Sequence, residues 1–292
     1  MTDIREAAIA LYDRYTHEGM DRRAFMAELT RIAGSTAAAN ALLIGIAADP
    51  AAAAIVPAND KRLRTRTLEW EVSPGRRMKG YNAVPARAAG RLPVVIVIHE
   101  NRGLNEHTRD VARRIALSGY SAVAPDFLTP GPGTPADENQ AREMIGKLDL
   151  ARTTADAVAM VNWLRSSEGR SRKVGAVGFC WGGAMINRLA VAAGPALAAG
   201  VSYYGPAPAP SEAAKVQAPL LIHLAGNDQR VNATAEPWAA ALEAAGKNVT
   251  LVKHPGVEHA FNNDTSAERY DKAAADRAWA QTIGFFGRHL KA

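Results

Sequence analysis

The chain reads as an α/β fold, a mostly parallel, doubly wound sheet with helices on both faces, preceded by a helical N-terminal extension. Three observations predict it. From about residue 65 onward, apolar runs of strand length alternate with stretches that space their apolar residues as a helix does. The first of these runs lack the continuous apolar character of the later ones and suit antiparallel strands at a sheet edge. Residues 1–60 carry helical patterns throughout.

Taken in order, the patterns at 3–17, 21–33 and 36–48 form the extension, which ends at Asp49 and Pro50 and an Ala-rich run to Val56. We assign residues 1–60 to this extension and 61–292 to the larger domain. Arg22 and Arg23 stand ahead of a mildly apolar run from Ile32 to Ala48, an arrangement with some likeness to a twin-arginine export signal. Glu28 and Arg31 intervene, Asn40 interrupts the run, and its length is below the roughly 18 residues of a membrane span. The expectation is a cytoplasmic chain without a membrane segment, export being the alternative.

TLEWEV (67–72) and MKGYNAV (78–84) are the antiparallel opening strands, and PVVIVIH (93–99) is the first fully buried one. SAVAPD (121–126), KVGAVGF (173–179), AGVSYY (199–204), APLLIHLAG (218–226) and NVTLVKHP (248–255) follow. Helical patterns near 107–118, 137–167, 182–194, 232–246 and 267–290 separate and close them. In such a sheet ligands bind beyond the carboxyl ends of the strands.

The hydrophobic fraction of 48% over 292 residues is ample for a buried core. The charge of +6 comes from 35 basic and 29 acidic residues without a block of one sign, which argues against nucleic acid and favours anionic small molecules. A single cysteine excludes an intrachain disulfide. His254 and His259 lack the carboxylate or thiol spacing of a metal site, and no glycine run has a nucleotide fingerprint, so neither metal nor cofactor is expected. A homo-oligomer is compatible with the sequence.

The chemistry starts at KVGAVGFCWGGAM. A buried strand runs into Gly178, Phe179, Cys180, Trp181, Gly182 and then a helix, and a turn this sharp needs glycines two residues on either side of the central one. Cys180 is thereby presented at the amino end of a helix, where peptide dipoles stabilise negative charge on sulfur. The Trp181 amide stands where an oxyanion would form. A thiol nucleophile needs a base and an acid that orients it, and in folds with this elbow the chain order is nucleophile, acid, histidine. Asp228 follows the strand LLIHLAG, and His259 lies in the loop after the next strand. His223, within a strand, and His254, at a strand end, suit the core better. In IHENRGLN the buried strand ends at His99, which places Glu100 beside the thiol as charge partner or proton acceptor and the Asn101 amide as second oxyanion donor.

Together HENRGLN, APDFL, GFCWGG, YYG, AGNDQRV and VEHAF resemble the dienelactone hydrolase (carboxymethylenebutenolidase) family of the α/β-hydrolase superfamily, over residues 65–290. The resemblance implies a hydrolase of small esters or lactones with Cys180, Asp228, His259 and Glu100 as catalytic residues. It also implies a switch in which substrate displaces the glutamate so that it activates the cysteine. Members clamp an anionic lactone with two arginines. The pattern REMIGKL gives Arg142 for one, while the position four beyond the histidine is Asn263, which stands there as a candidate substrate contact without the charge. Arg102 is the candidate replacement charge, and Tyr204, at the tyrosine–glycine strand end, is a further candidate substrate contact. The alternative reading is a noncatalytic protein on the same scaffold, with Cys180 as a redox-sensing thiol.

Overall fold

The computed structural model describes residues 4–17, 20–47, 55–88, 90–167 and 170–291. The start of the first predicted helix at residue 3 and part of the Ala-rich stretch after Asp49 lie outside them.

Three short helices come first: α1 (Ile4–His17), α2 (Arg22–Ala33) and α3 (Thr36–Ile46). Their boundaries follow from capping chemistry. The Asp21 carboxylate accepts the amides of Arg23 and Ala24, and Gly34 closes α2 in the left-handed region at φ 79°. The Ser35 hydroxyl then caps α3 through the Ala38 amide. Ile9, Leu11, Tyr12, Tyr15, Phe25, Leu29 and Ile46 form a small core among the three helices. The run containing Arg22, Arg23 and the apolar residues beyond is bent by 108° between α2 and α3. Among the described residues no single helix is long and apolar enough to cross a membrane.

The sheet has eight strands: β1 (Leu63–Ser73), β2 (Arg76–Pro85), β3 (Leu92–Ile98), β4 (Ser121–Asp126), β5 (Arg170–Phe179), β6 (Ala199–Tyr203), β7 (Leu220–Ala225) and β8 (Val249–His254). Their order is β1-β2-β4-β3-β5-β6-β7-β8. β2 is antiparallel to β1 and to β4, and every other pair is parallel. The mixed sheet expected from the opening strands is therefore the one observed.

Helices α4 (Glu106–Leu117), α5 (Glu138–Gly146), α6 (Leu150–Ser166), α7 (Trp181–Ala192), α8 (Gln229–Ala244) and α9 (Lys272–Phe286) cover both faces. Val94, Ile96 and Ile98 of β3 join Val161, Leu189 and Trp238 on one side of the sheet. Val95 and Val97 join Val111, Ile115 and Phe286 on the other. Burial on both faces explains the unbroken apolar run, each such side chain contributing about 1.5–3 kcal/mol.

Three predicted helices change shape. The single stretch 137–167 is two helices, because the Asp149 side chain turns back to cap α6 through the Arg152 amide. The helix expected at 267–290 begins only at Lys272, where Asp271 caps it through Ala274, and ends in a π-turn over Gly287–Lys291. The helix expected at 232 begins at Gln229, because Asp228 itself is the cap.

Candidate active site

The parallel register aligns the carboxyl ends of β3, β5, β6 and β7, pairing Ile98 with Gly178, Phe179 with Tyr203 and Tyr203 with His223. Glu100, Cys180, Tyr204 and Asp228 each follow one of these strand ends, and His259 follows β8. Sites far apart in sequence thus share one edge of the sheet.

Cys180 occupies the turn between β5 and α7 with φ 53° and ψ −112°, a positive-φ conformation that strains a side-chain-bearing residue by about 1–3 kcal/mol. Its amide donates to Tyr203 O at 3.0 Å, and its carbonyl accepts from Ala184 at 3.0 Å. The elbow leaves no space around it. A Cβ on Gly178 would lie 2.2 Å from Gly182 O, and one on Gly182 would lie 2.4 Å from Ile98 O. Both glycines are required by backbone packed on backbone. The Trp181 amide belongs to the first turn of α7, whose N–H groups have no acceptor within the helix. The Trp181 ring stacks on His99 at 5.2 Å and 8°.

His259 is 1% exposed and donates from Nδ1 to Asp228 Oδ2 at 2.5 Å. The other oxygen of Asp228 accepts the Val231 amide at 3.1 Å, so one carboxylate both caps α8 and orients the imidazole. Burial disfavours a charged His259. The negative charges of Asp228 and Cys180, with the hydrogen bond to Asp228, outweigh it and hold the imidazole well above its ordinary value. Burial likewise disfavours the Asp228 carboxylate, but His259 more than compensates and keeps it below its ordinary value. Asp228 holds Nδ1 of the imidazole, and Cys180 lies close enough to act on the same ring electrostatically.

Glu100 accepts from Asn263 Nδ2 at 3.0 Å and from the Tyr204 hydroxyl at 3.4 Å. Tyr204 itself has φ 37°, and its ring packs 5.1 Å from that of His259. Its hydroxyl is pushed well above its ordinary value by burial and by the charges of Glu100 and Cys180. Asn263 is buried, and its Oδ1 accepts from the Thr265 amide and hydroxyl. The structure therefore places Asn263 on Glu100. His223 and His254 form a buried pair, Nδ1 to Nε2 at 3.1 Å, as core histidines do.

A cavity of about 300 Å³ opens beside the thiol. Cys180, Trp181, Asn101 and Arg142 line it, so four of the residues singled out from sequence meet there. Arg102, Tyr204 and Asn263 are not among its lining residues. The Arg102 guanidinium instead engages Glu138 and the Tyr12 hydroxyl. Sequence reasoning missed three polar lining residues: Arg188, Arg230 and Thr16. Arg230 was within reach, standing two residues beyond the acid, and its Nη2 is buried without a hydrogen-bond partner among the described residues. Arg188 lies on α7 about two turns from Trp181 and so projects from the same helix face. Nothing in the pattern of residues 4–17 indicates that Thr16 reaches this site. No group of three or more His, Cys, Asp or Glu capable of holding a metal occurs among the described residues.

The dienelactone hydrolase family model matches residues 78–290. An Escherichia coli (strain K12) protein named "Putative carboxymethylenebutenolidase" is 32% identical over 257 residues, covering 83% of this chain and 94% of its own length. The crystal structure of a similarly qualified dienelactone hydrolase from Klebsiella pneumoniae superimposes with a TM-score of 0.68 at 30% identity, over 77% of this chain and 99% of that one. A bacterial brefeldin A esterase shares the fold, with a TM-score of 0.66 at 15% identity over 99% of this chain and 87% of its own. By sequence over residues 78–290 and by architecture, the chain belongs to the dienelactone hydrolase family and is a carboxymethylenebutenolidase-like hydrolase.

Proposed function

We propose that this enzyme hydrolyses small esters or lactones with Cys180 as nucleophile and a Cys180–His259–Asp228 triad, and that its substrates carry a negative charge. The observation that carries the reading is the hydrogen bond from His259 to Asp228 at the strand edge, with Cys180 acting on the same imidazole beside a cavity of small-molecule size.

In this mechanism the Cys180 sulfur attacks the carbonyl carbon, and the carbonyl π electrons move onto oxygen. The amides of Trp181 and Asn101 receive the oxyanion. Collapse breaks the bond to the alkoxy oxygen, which takes a proton from His259, leaving a thioester on Cys180. His259, now neutral, accepts a proton from water as that water attacks the thioester. The acid leaves and the thiolate–imidazolium pair is restored, with Asp228 holding the ring in the required tautomer throughout. For a lactone the alcohol and acid remain one molecule.

Glu100, held by Tyr204 and Asn263, serves as the reserve base that keeps Cys180 deprotonated when substrate enters. The charge preference rests on Arg142, Arg188 and Arg230, which line the cavity with no acidic side chain among its described lining residues. Arg230 is the best placed of the three to take a carboxylate, since its orphaned Nη2 lacks an acceptor among the described residues. No metal or cofactor enters these steps.

The test is turnover of activated short-chain esters and of a dienelactone by the wild type and by Cys180→Ala. Loss of all turnover above background in the variant is expected. Wild-type rates in Cys180→Ala would remove the thiol mechanism.

A further inference from the structure

The three N-terminal helices are docked on the segment that follows His259. Ile46 O accepts from Ser266 Oγ at 2.5 Å and from Arg269 Nε at 3.1 Å, and Gly45 O accepts the Glu268 amide at 3.0 Å. Arg5 of α1 pairs with Glu268, and Asp13 lies 3.7 Å from Arg269. This docking brings one face of the last turns of α1, at positions 12, 15 and 16, onto the carboxyl edge.

Tyr15 and Thr16 reach the cavity wall, and Tyr12 reaches Arg102 beside it. The Tyr12 hydroxyl meets Arg102. Thr16 lines the cavity, and its carbonyl accepts from Asn101 Nδ2 at 3.5 Å. Tyr15 is buried, with its ring stacked on Phe25 at 4.4 Å and 18°, and the Arg142 Cζ stands over the ring at 4.2 Å from the centroid. One aromatic ring is thus held between a phenylalanine of the extension and an arginine of the cavity wall.

We infer that the N-terminal extension is part of the substrate site, with Tyr15 positioning the Arg142 guanidinium at the Cys180 cavity and so selecting substrates that bear a carboxylate or similar anion. An arginine side chain is long and mobile, and an anion that must order it loses affinity in doing so. The Tyr15 face attracts the cation and fixes its plane before substrate arrives. The inference deepens the ester or lactone hydrolase reading and rests on it for the nature of the substrate, though the contact between Tyr15 and Arg142 does not.

The single cysteine makes the test direct, because alkylation reports on this cavity alone. The full-length wild type, Tyr15→Leu and Tyr15→Phe are treated with iodoacetate and with iodoacetamide, and the ratio of the two rates at Cys180 is followed by intact mass. Tyr15→Leu is expected to lower the anion-to-neutral ratio by about threefold to tenfold, the range a cation–π contact supports, while Tyr15→Phe retains it. With esters, the same variant raises KM for a carboxylate-bearing substrate and leaves kcat close to its starting value. Tyr15→Met keeps volume against Phe25 without a ring face, and gives the same readout should Tyr15→Leu fold poorly. In an Arg142→Leu background, adding Tyr15→Leu is expected to give no fall in the ratio beyond that of Arg142→Leu alone. A wild-type ratio in a folded Tyr15→Leu, or additive losses in the double variant, would overturn the inference and leave the hydrolase reading intact. Charge-selective alkylation by a wild type that turns over no ester would do the reverse.

Discussion

Replacing Asp228 with asparagine exchanges one carboxylate oxygen for an amide nitrogen at the most tightly coupled point of the site. The side-chain carbonyl of the variant can still accept the Val231 amide that caps α8, so the helix start is preserved. What changes is the partner of His259 Nδ1, now 2.5 Å from Asp228 Oδ2. A charge-assisted bond is exchanged for a neutral one or lost, a difference of about 1.5–3 kcal/mol. The amide N–H also makes Nδ1 an acceptor, which moves the imidazole proton to Nε2 and leaves no lone pair to receive the thiol proton. Together these reduce kcat by about 10³–10⁴-fold, the loss known when a buried triad acid is made neutral. The charge of Asp228 is also the foremost influence holding His259 above its ordinary value, so its loss weakens the imidazole's hold on its proton. Initial rates with an activated ester, thermal unfolding, and alkylation of Cys180 as a function of pH are the assays. Expected are a folded protein with Tm lowered by several degrees, a slow enzyme, and alkylation shifted to higher pH. A folded Asp228→Asn enzyme within threefold of wild-type kcat would refute the assignment of Asp228 as the orienting acid.

Other consequences follow from the same geometry. Gly178→Ala places a methyl group against Gly182 O, where the gap would be 2.2 Å, and is expected to destabilise the protein by about 3 kcal/mol in denaturant titration, at the upper end of overpacking losses. Arg230→Gln keeps the length of the acid loop but removes a guanidinium from the cavity, and KM for a carboxylate-bearing ester is expected to rise about tenfold with a smaller effect on a neutral ester. Acid stability has a defined sign. His223 is pushed down to about 3 by burial and then by His254, so it stays neutral in the fold while the unfolded chain takes up a proton near 6.5. Asp264, where burial is outweighed by His107 and Arg114, is held below its ordinary 3.8. Both make the unfolded state bind more protons, so stability is lost as pH falls from about 6.5, through His223 first and Asp264 below about 4. Tm measured between pH 7 and 3 checks this, and Asp264→Asn is expected to flatten the lower limb.

The elbow was legible in sequence because its requirements are local. A buried strand, two glycines at fixed offsets and a helix leave a single arrangement, and the contacts of Gly178 and Gly182 show why no other residue serves. The meeting of Asp228 with His259 was legible through chain order and strand ends, since a parallel sheet brings successive carboxyl ends to one edge. The break between α5 and α6 was missed although Asp149 signals it, because the apolar spacing on either side is compatible with one continuous helix. Asn263 was read as half of a missing arginine pair, whereas the structure uses it to hold Glu100, a contact between residues 163 positions apart. The reach of α1 over the cavity had no sequence signal. Periodicity marks Tyr12 and Tyr15 as an apolar face of a helix and does not say what the face meets.

The most direct measurement is rapid quenching of the wild type during turnover of an activated ester, followed by intact-mass and peptide mass analysis. The mechanism predicts one acyl group per chain, carried on the peptide containing Cys180, formed in a burst and lost at the steady-state rate. Turnover proceeding with no acyl group on that peptide, or with the acyl group on another residue, would contradict it.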